Sequence, residues 1–378
     1  MRRKTGQNTF TAALERIRHI YEDGHRVVLS FSAGKDSGVC LELCLMAARE
    51  TKRLPVEVMM RDEEIMLPGT YEYAERVAAR PEVDFNWIGS RQPCVNVYNR
   101  KEPYFWVFDD RLTPDQWVRQ PPPFINWVED TNSLWNVVSH DTYPPPFGKE
   151  LISILGNRAS ESRVRLMGIH SSGGYITKPT RSGARLARPI YDWMDGDVWK
   201  AHRDLKWDYN TAYDTMHRLG KKREDLRIAP PTMNVHGVEE MQLAAKAWPQ
   251  WFARVAERLP GARMAAQFGK ACLTPHRRSN ETWEACYQRE CIEAAPEWIA
   301  ERAARAAEMR VHEHSKHSTT PFPDVRLCKV CGLAGSWRKL ALSMYSGDPF
   351  STKITSMPYV EPEVFREGAG VWGGQPTA

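Results

Sequence analysis

Apolar strands and amphipathic helices alternate along the first part of the chain. Residues 8–22 carry apolar side chains at helical spacing, which predicts a helix. The apolar, β-branched run at 26–32 predicts a buried strand, and the apolar face of 37–50 predicts a second helix. The same order then repeats as a strand at 54–62, a helix at 69–80 and a strand at 83–89. Such alternation forms parallel βαβ units, so we expect an α/β fold, a doubly wound parallel sheet with helices on both faces.

Residues 98–148 break this alternation. They contain two triple-proline runs and many aromatic side chains, and they show no long periodic element. Aromatic rings beside Arg and Lys would suit a surface that stacks bases, whereas the same rings packed on one another would order a long irregular lid. Both interpretations stay open at this point.

The alternation resumes at 151–156, where LISILG predicts another strand. A helix is expected to begin near Asp195, and beyond the Pro230-Pro231 break the composition becomes mainly helical. The predicted domains are an α/β domain at 1–230, with 98–148 as an insertion, and a mainly helical domain at 231–378.

Composition places few limits on this picture. The 378 residues are 42% hydrophobic and 26% charged, which allows roughly two to three domains with ordinary cores. The net charge of +5 is compatible with an anionic ligand or a nucleic acid partner but argues for neither. No apolar run suits a membrane helix, and no apolar stretch follows the basic start, so we expect a cytoplasmic protein without a signal peptide. The 8 Cys residues are then not expected to form a disulfide framework.

The segment Ser32-Ala33-Gly34-Lys35-Asp36-Ser37 joins the first strand to the helix behind it. Amides at the start of a helix are unpaired and carry partial positive charge, so an anion is stabilised there. Small residues let a ligand approach the backbone, and the two serines add hydroxyl donors. The segment is not a Walker A loop, because Leu29 stands where the first Gly belongs and Asp36 where Ser or Thr belongs. We therefore predict a phosphate-binding loop of another type.

Three segments in order resemble one known family. The loop is similar to the S-[GA]-G-K-D-S pyrophosphate loop of the PP-loop ATP pyrophosphatases, which have the adenine nucleotide alpha hydrolase-like fold. The run GNRASESRVR resembles the G-I-R-x-x-E-S-x-x-R motif of the phosphoadenosine phosphosulfate (PAPS) reductase branch, with Asn157 in place of Ile and matches at Gly156, Arg158, Glu161, Ser162 and Arg165. A third segment resembles that branch's P-I-x-x-W-x-x-x-D-V-W and N-x-x-Y pattern at Pro189, Ile190, Trp193, Asp197, Val198, Trp199, Asn210 and Tyr213.

The resemblance implies an adenine nucleotide site at the loop. The implied contacts to the phosphates of ATP are Ser32, Ala33, Gly34, Lys35, Asp36, Ser37 and Gly156, with a Mg²⁺ ion bridging the phosphates. Asp62, Glu63 and Glu64 follow the second strand, and the carboxyl ends of parallel strands line the ligand crevice. We expect these acids to contact ribose or Mg²⁺, with solvated surface as an equal alternative for Glu63 and Glu64.

The residues implied in catalysis are Lys35, Asp36, Arg158, Glu161 and Arg165. Guanidinium forks grip phosphate or sulfate oxygens, and Glu161 would orient them. A surface ion-pair cluster at 158–165 is the alternative.

Members of the family do one of two things. Most cleave ATP between the α and β phosphates and adenylate a substrate that a sulfur or nitrogen nucleophile then attacks, whereas the reductases attack a sulfonucleotide with a tail cysteine. The tail of this chain lacks both Cys and the E-C-G-[IL]-H motif. We therefore expect adenylation for sulfur or related group transfer. The alternatives are a nucleotide-sensing regulator that works with a partner protein or nucleic acid, and a true PAPS reductase.

The last third of the chain contains a candidate metal site. Cys328 and Cys331 form a C-x-x-C knuckle, and His314 and His317 precede it at i, i+3 spacing, which suits tetrahedral Zn²⁺. Cys286 and Cys291 could replace the two histidines, a four-iron cluster could use Cys272, Cys286 or Cys291, or the region holds no metal. This tail, with a W-V-R-x-x-P run, also resembles phage and prophage PAPS reductase-like proteins, which implies a bacterial host; the run is Trp117, Val118, Arg119 and Pro122.

Overall fold

The computed structural model describes residues 6–128, 151–179, 184–228, 235–329, 335–349, 351 and 353–367. Its strands are Arg26–Ser30 (β1), Val56–Arg61 (β2), Val83–Gly89 (β3), Pro93–Val95 (β4), Tyr104–Trp106 (β5), Asn126–Trp127 (β6), Leu151–Leu155 (β7) and Arg185–Ala187 (β8). Its helices are Thr9–Glu22 (α1), Lys35–Glu50 (α2), Thr70–Ala78 (α3), Arg163–Ser172 (α4), Asp195–Asp204 (α5), Ala212–Arg218 (α6), Val235–Ala247 (α7), Pro249–Arg258 (α8), Ala262–Phe268 (α9), Trp283–Tyr287 (α10), Glu297–Ser315 (α11), Trp337–Met344 (α12) and Glu363–Glu367 (α13).

The described residues fall into two compact units. The first takes in those up to Ser90, 119–128, and those from Leu151 to 228, and the second takes in 91–118 and those from Val235 onward. The predicted insertion is therefore divided, because 98–118 belongs to the second unit and 119–128 to the first. The predicted boundary near residue 230 lies outside the described residues.

A six-stranded sheet forms the centre of the first unit. Its strand order is β6-β3-β2-β1-β7-β8, and each neighbouring pair is parallel. The predicted α/β fold with a parallel sheet and flanking helices is confirmed. The chain adds β2 and β3 on one side of β1 and then returns to place β7 on the other side, so the strand order reverses between β1 and β7.

The helices of the first unit form where the hydrophobic pattern predicts them. The α1 helix begins after Asn8, whose side chain caps it by accepting a hydrogen bond from the Thr11 amide at 2.9 Å. Ile17 and Ile20 are fully buried on its apolar face. They share one core with buried residues of α2, α3 and the sheet, including Leu43, Val77 and Val58. Burial of these apolar faces, more than helix propensity, stabilises the helices on the sheet.

The second unit is mainly helical. A short antiparallel pair, β4 and β5, lies in its first segment. Tyr104 and Trp106 of β5 are buried with Trp298, Ile299 and Phe365 in one apolar cluster. These rings of the predicted insertion therefore pack inside the unit, which favours the packing interpretation over base stacking for β5.

Candidate nucleotide-binding site

The carboxyl ends of β1 and β7 lie side by side at the reversal of strand order. The two strands pair in register from Arg26↔Leu151 to Ser30↔Leu155. Loops that leave neighbouring strands in opposite directions open a crevice, and ligands of open α/β sheets bind there. The two loops at this place are 31–34 and 156–162, which carry the first two family-like segments.

The first loop is folded by its own side chains. Ala33 has a φ of 52°, in the left-handed region, and is fully buried. The Ser37 hydroxyl donates to the Gly34 carbonyl at 3.0 Å and accepts from the Ser32 amide at 3.3 Å. The hydroxyl oxygens of Ser32 and Ser37 lie 3.2 Å apart. These contacts fix the turn that leads from β1 into α2.

The first turn of α2 presents amides to the crevice. Within the described residues, the amides of Asp36 and Ser37 take part in no hydrogen bond, as expected for the start of a helix. The Lys35 amide differs, because it donates to the Tyr213 hydroxyl at 3.0 Å. One of the amides that the sequence predicted to be free is thus paired with a side chain from α6.

Gly156 brings the second loop against the first. A Cβ atom at Gly156 would lie 2.8 Å from the Asp36 carbonyl carbon and 2.8 Å from the Ser37 amide nitrogen. Real Cβ atoms do not approach backbone so closely, so only glycine fits at this position. The physical reason for this glycine is the close approach of the two loops.

A buried ion pair joins the same two loops. The Arg158 Nε donates to Asp36 Oδ1 at 2.5 Å, and the Arg158 amide donates to Glu161 Oε2 at 3.1 Å. Arg158 is only 5% exposed. Glu161 also pairs with Arg165, whose side chain is more than two fifths exposed. The structure therefore brings all five predicted catalytic residues together, with Lys35 contacting Asp36 at 3.6 Å.

Lys35 is buried beside the loop. Its Nζ donates to the Leu226 carbonyl at 2.8 Å and lies 3.6 Å from Asp195 Oδ1. Burial lowers the pKa of Lys35, while Asp36 and Asp195 act in the opposite direction. The ammonium group is thus partly desolvated and close to two carboxylates, an arrangement that suits exchange of one carboxylate for a phosphate oxygen.

Asp195 is a site residue that the sequence analysis missed. Its carboxylate lies 3.6 Å from each of three cationic groups, which belong to Lys35, Arg158 and Arg223. Both carboxylate oxygens are buried, and in the described part of the chain neither has a hydrogen-bond partner. The family-like pattern contains Asp197 but leaves position 195 open, so no local signal distinguished Asp195 from a solvated helix start.

Hydrogen bonds from the third family-like segment hold the first loop and the start of α2. The Asn210 amide group donates to the Ala33 carbonyl at 3.1 Å and to the Thr70 hydroxyl at 3.0 Å. His202, which the sequence analysis did not select, lies with its Nε2 2.9 Å from the Lys35 carbonyl oxygen. A carbonyl oxygen only accepts, so Nε2 donates to it. Burial lowers the pKa of His202. The segment thus fixes the conformation that the loop needs.

The acids after β2 are buried. Asp62 is 0% exposed and accepts hydrogen bonds from the Glu64 amide at 2.9 Å, from Trp87 Nε1 at 2.8 Å and from Arg119. Glu63 pairs with Arg61, and Glu64 is fully buried. The alternative of solvated surface for Glu63 and Glu64 is therefore wrong, because both side chains are buried. The nucleotide contact of Asp62 stays a prediction.

The candidate zinc residues lie in the second unit. His314 is 2% exposed, and its Nε2 lies 2.8 Å from the Thr320 carbonyl oxygen, so this nitrogen donates a hydrogen bond. His317 lies 3.6 Å from Glu313. Among the described residues, no group of three or more His, Cys, Asp or Glu side chains is placed to hold a metal ion. Cys331 lies outside the described residues, and the zinc site with Cys328 stays a prediction.

Comparison with known proteins gives distant similarities. No protein-family model matches this chain. The chain is 26% identical over 243 residues to the uncharacterised protein YbdN of Escherichia coli (strain K12), and the match covers 59% of each of the two proteins. The chain thus spans less than two thirds of the length of that curated relative.

Solved structures with a similar fold share little sequence with this chain. FMN adenylyltransferase of Candida glabrata has a TM-score of 0.36 and 10% identity, covering 54% of this chain and 57% of that chain. PAPS reductase of Candida auris has a TM-score of 0.30 and 17% identity, covering 56% and 86%. Yeast FAD synthetase has a TM-score of 0.33 and 12% identity, covering 69% and 93%.

Across the described ranges, no helix is both long and apolar enough to span a bilayer.

Proposed function

We propose that this chain binds ATP or a related adenine nucleotide at the β1–α2 loop and adenylates an acceptor with release of pyrophosphate, as a PAPS reductase-like PP-loop protein. The resemblance of the three segments supports this proposal, and so does their convergence in the first unit. The observation that carries it is the contact of Gly156 with the Asp36–Ser37 backbone. That contact places two family-like segments at the switch point of the sheet, where α/β folds bind their ligands.

The chemistry follows from the donors at the crevice. The free amides of Asp36 and Ser37 would hold phosphate oxygens at the positive end of α2. A nucleophilic oxygen of the acceptor attacks the α-phosphorus, the bond between the α-phosphorus and the bridging oxygen breaks, and pyrophosphate leaves with that electron pair. Lys35 and Arg158 lie where they would stabilise the charge that develops on the leaving pyrophosphate.

The carboxylates of the site fit a divalent cation carried in by the nucleotide. Mg²⁺ takes one or two carboxylates together with phosphate oxygens. Asp195, whose oxygens have no hydrogen-bond partner among the described residues, and Asp36 are the side chains that would hold it. Such an ion would neutralise phosphate charge.

The site also has to release its internal contacts before it binds phosphate. Arg158 is paired with Asp36, and Lys35 is held by the Leu226 carbonyl and two carboxylates. We therefore expect nucleotide binding to depend on salt and to rearrange these pairs, because a phosphate competes with carboxylates for the same cations.

The experiment measures binding and turnover separately. The full chain would be titrated with ATP by calorimetry. Released pyrophosphate would be assayed without an acceptor, with nucleic acid as the acceptor, and with nucleic acid plus sulfide as the nucleophile that attacks the adenylated product. Pyrophosphate formation that fails in the Arg158→Ala variant supports the proposal. The matched control is Arg18→Ala, because Arg18 pairs at the surface with Glu50, the last residue of α2 and thus at the opposite end of that helix from the loop. Absence of ATP binding would contradict the proposal, and tight binding without pyrophosphate would favour the nucleotide-sensing regulator.

A further inference from the structure

A second cavity lies beside the nucleotide site in the first unit. Its volume is about 470 Å³, within the range of about 300–1,000 Å³ that small-molecule sites occupy. Helices α5 and α6 and the segment that follows α6 form its walls. The lining residues are Gly196, Trp199, Lys200, Arg203, Tyr209, Tyr213, Asp214, His217, Arg223 and Leu226.

Aromatic rings form one part of this lining. The Trp199 ring meets the Tyr213 ring edge to face, with centroids 5.3 Å apart and an interplanar angle of 89°. It meets the Tyr209 ring in the same way at 5.9 Å and 88°. Trp199 and Tyr209 are partly exposed, whereas Tyr213 is buried. An exposed aromatic face stacks with any planar heterocycle.

Positive charge forms the other part of the lining. Lys200 and Arg203 share a single carboxylate, that of Asp204, which leaves an excess positive charge at the rim. Arg223 also lines the cavity; its side chain is 62% exposed and lies 3.6 Å from Asp195, its partner at the nucleotide site. The lining carboxylate is Asp214, which accepts a hydrogen bond from the Tyr209 hydroxyl at 3.1 Å. The cavity therefore suits a ligand that has both a planar ring and an anionic group.

The cavity and the nucleotide site share a wall. Tyr213 lines the cavity, and its hydroxyl accepts from the Lys35 amide at 3.0 Å. Leu226 also lines it, and its carbonyl accepts from Lys35 Nζ at 2.8 Å. A molecule in the cavity would thus lie against the two residues that contact Lys35.

We propose that this cavity is the acceptor subsite and that the acceptor is a nucleotide unit, with its base on the Trp199 and Tyr209 rings and its phosphate toward Lys200, Arg203 and Arg223. This inference rests on the adenylation function proposed above. It identifies the substrate class as a nucleotide, free or within a strand. Base stacking and phosphate pairing together account for a lining that is both aromatic and cationic.

The test uses GMP and UMP as probes and an α,β-methylene analogue of ATP as the competitor. Calorimetry of the full chain is expected to give one equivalent of bound monophosphate in the presence of saturating analogue. Tyr209→Ala is expected to weaken monophosphate binding about tenfold, because a stacked base loses its partner ring. Tyr209→Phe, which keeps the ring, is the matched control and retains binding. Neither variant is expected to change the affinity for the analogue.

Three results would overturn the inference. They are no binding of either monophosphate, equal binding by wild type and Tyr209→Ala, or displacement of the analogue by monophosphate in a one-to-one ratio, which would make the cavity part of the ATP site itself. Failure of the analogue to bind, with monophosphate binding that still depends on Tyr209, would instead contradict the proposed ATP function and leave a nucleotide site in the cavity.

Discussion

The guanidinium Nε of Arg158 lies 2.5 Å from the Oδ1 of Asp36, although the two residues are 122 positions apart in the chain. The pair connects the loop after β1 to the loop after β7. Arg158 also lies 3.6 Å from Asp195, and Asp36 lies 3.6 Å from Lys35. Lys35 in turn lies 3.6 Å from Asp195, so carboxylates and cations alternate around the start of α2. A phosphate group that binds there replaces a carboxylate on cations that are already in position, which lowers the cost of organising the site.

The Arg158→Lys variant tests the role of the guanidinium fork. We expect about tenfold weaker ATP binding, since lysine keeps the charge but cannot bridge Asp36 and a phosphate oxygen in a planar fork. Calorimetry with ATP measures the affinity, and thermal unfolding checks the fold. Arg18→Lys, on an exposed pair with Glu50, should bind ATP as the wild type does. Unchanged affinity in Arg158→Lys would show that Arg158 serves only the structure.

The Gly156→Ala variant tests the close approach of the two loops. The new methyl group would lie 2.8 Å from backbone atoms of Asp36 and Ser37, so one loop must move. Overpacking of this kind costs about 1–3 kcal/mol, and we expect ATP binding to weaken at least tenfold because the shifted amides belong to the proposed anion site. Gly174→Ala is the control, since a Cβ there meets no atom within 4 Å. A Gly156→Ala protein with wild-type stability and affinity would contradict this account.

The fold and the loop were predictable because their signals are local. Strand, small-residue turn and helix follow one another between Arg26 and Glu50, and hydrophobic periodicity together with helix-start chemistry determines each of them. The short strands β6 and β8 were not predicted, since two or three residues carry too little periodicity to be recognised.

The rest of the site depends on contacts between distant parts of the chain. Asp195 and His202 reach Lys35 across more than 150 positions, and nothing in the sequence around them distinguishes them from other residues of an amphipathic helix. The sequence left solvated surface open for Glu63 and Glu64, because charged residues are usually exposed. Glu63 pairs with Arg61, only two positions away, but the burial of both glutamates depends on the packing of the whole unit.

His202 predicts a pH dependence of stability. Burial lowers its pKa below the ordinary 6.5 in the folded chain. As the pH falls below 6.5, the unfolded chain therefore takes up a proton before the folded chain does. The contribution of His202 to the unfolding free energy is fully present above pH 6.5 and is lost as the pH falls toward the lower folded pKa. The slope contributed by one such group is at most about 1.4 kcal/mol per pH unit.

The matched variant for this dependence is His202→Gln. Its amide group can still donate to the Lys35 carbonyl but does not titrate. Urea unfolding of both proteins between pH 5 and pH 8, values we choose to bracket the ordinary histidine pKa, gives the difference in unfolding free energy at each pH. We expect the wild type to lose more stability than the variant in the acidic part of this range. Parallel curves would show that His202 keeps the same pKa folded and unfolded.

The Asp62–Arg119 pair predicts a large stability effect within the first unit. The Arg119 guanidinium carbon lies 3.1 Å from the centroid of the Tyr71 ring, and its partner Asp62 is 0% exposed. Arg119→Met would leave a buried carboxylate without its cation, which costs about 3–5 kcal/mol. Asp62→Asn in the same background should recover part of this loss, because a neutral amide still accepts from Trp87 Nε1. Urea unfolding of the two single variants and the double variant gives the coupling energy.

A control variant and an ATP titration separate a structural role of Asp62 from a role in nucleotide binding. Arg76→Met breaks an exposed pair with Asp208 and should cost no more than about 1 kcal/mol. A similarly small effect of Arg119→Met would mean that the buried pair does not stabilise the fold. ATP titration of Asp62→Asn tests the predicted nucleotide contact independently. Both carboxylate oxygens of Asp62 accept hydrogen bonds within the protein, so Asp62 already has a structural role. Weaker ATP binding by an Asp62→Asn protein that is fully folded would show that Asp62 is also a ligand of the nucleotide.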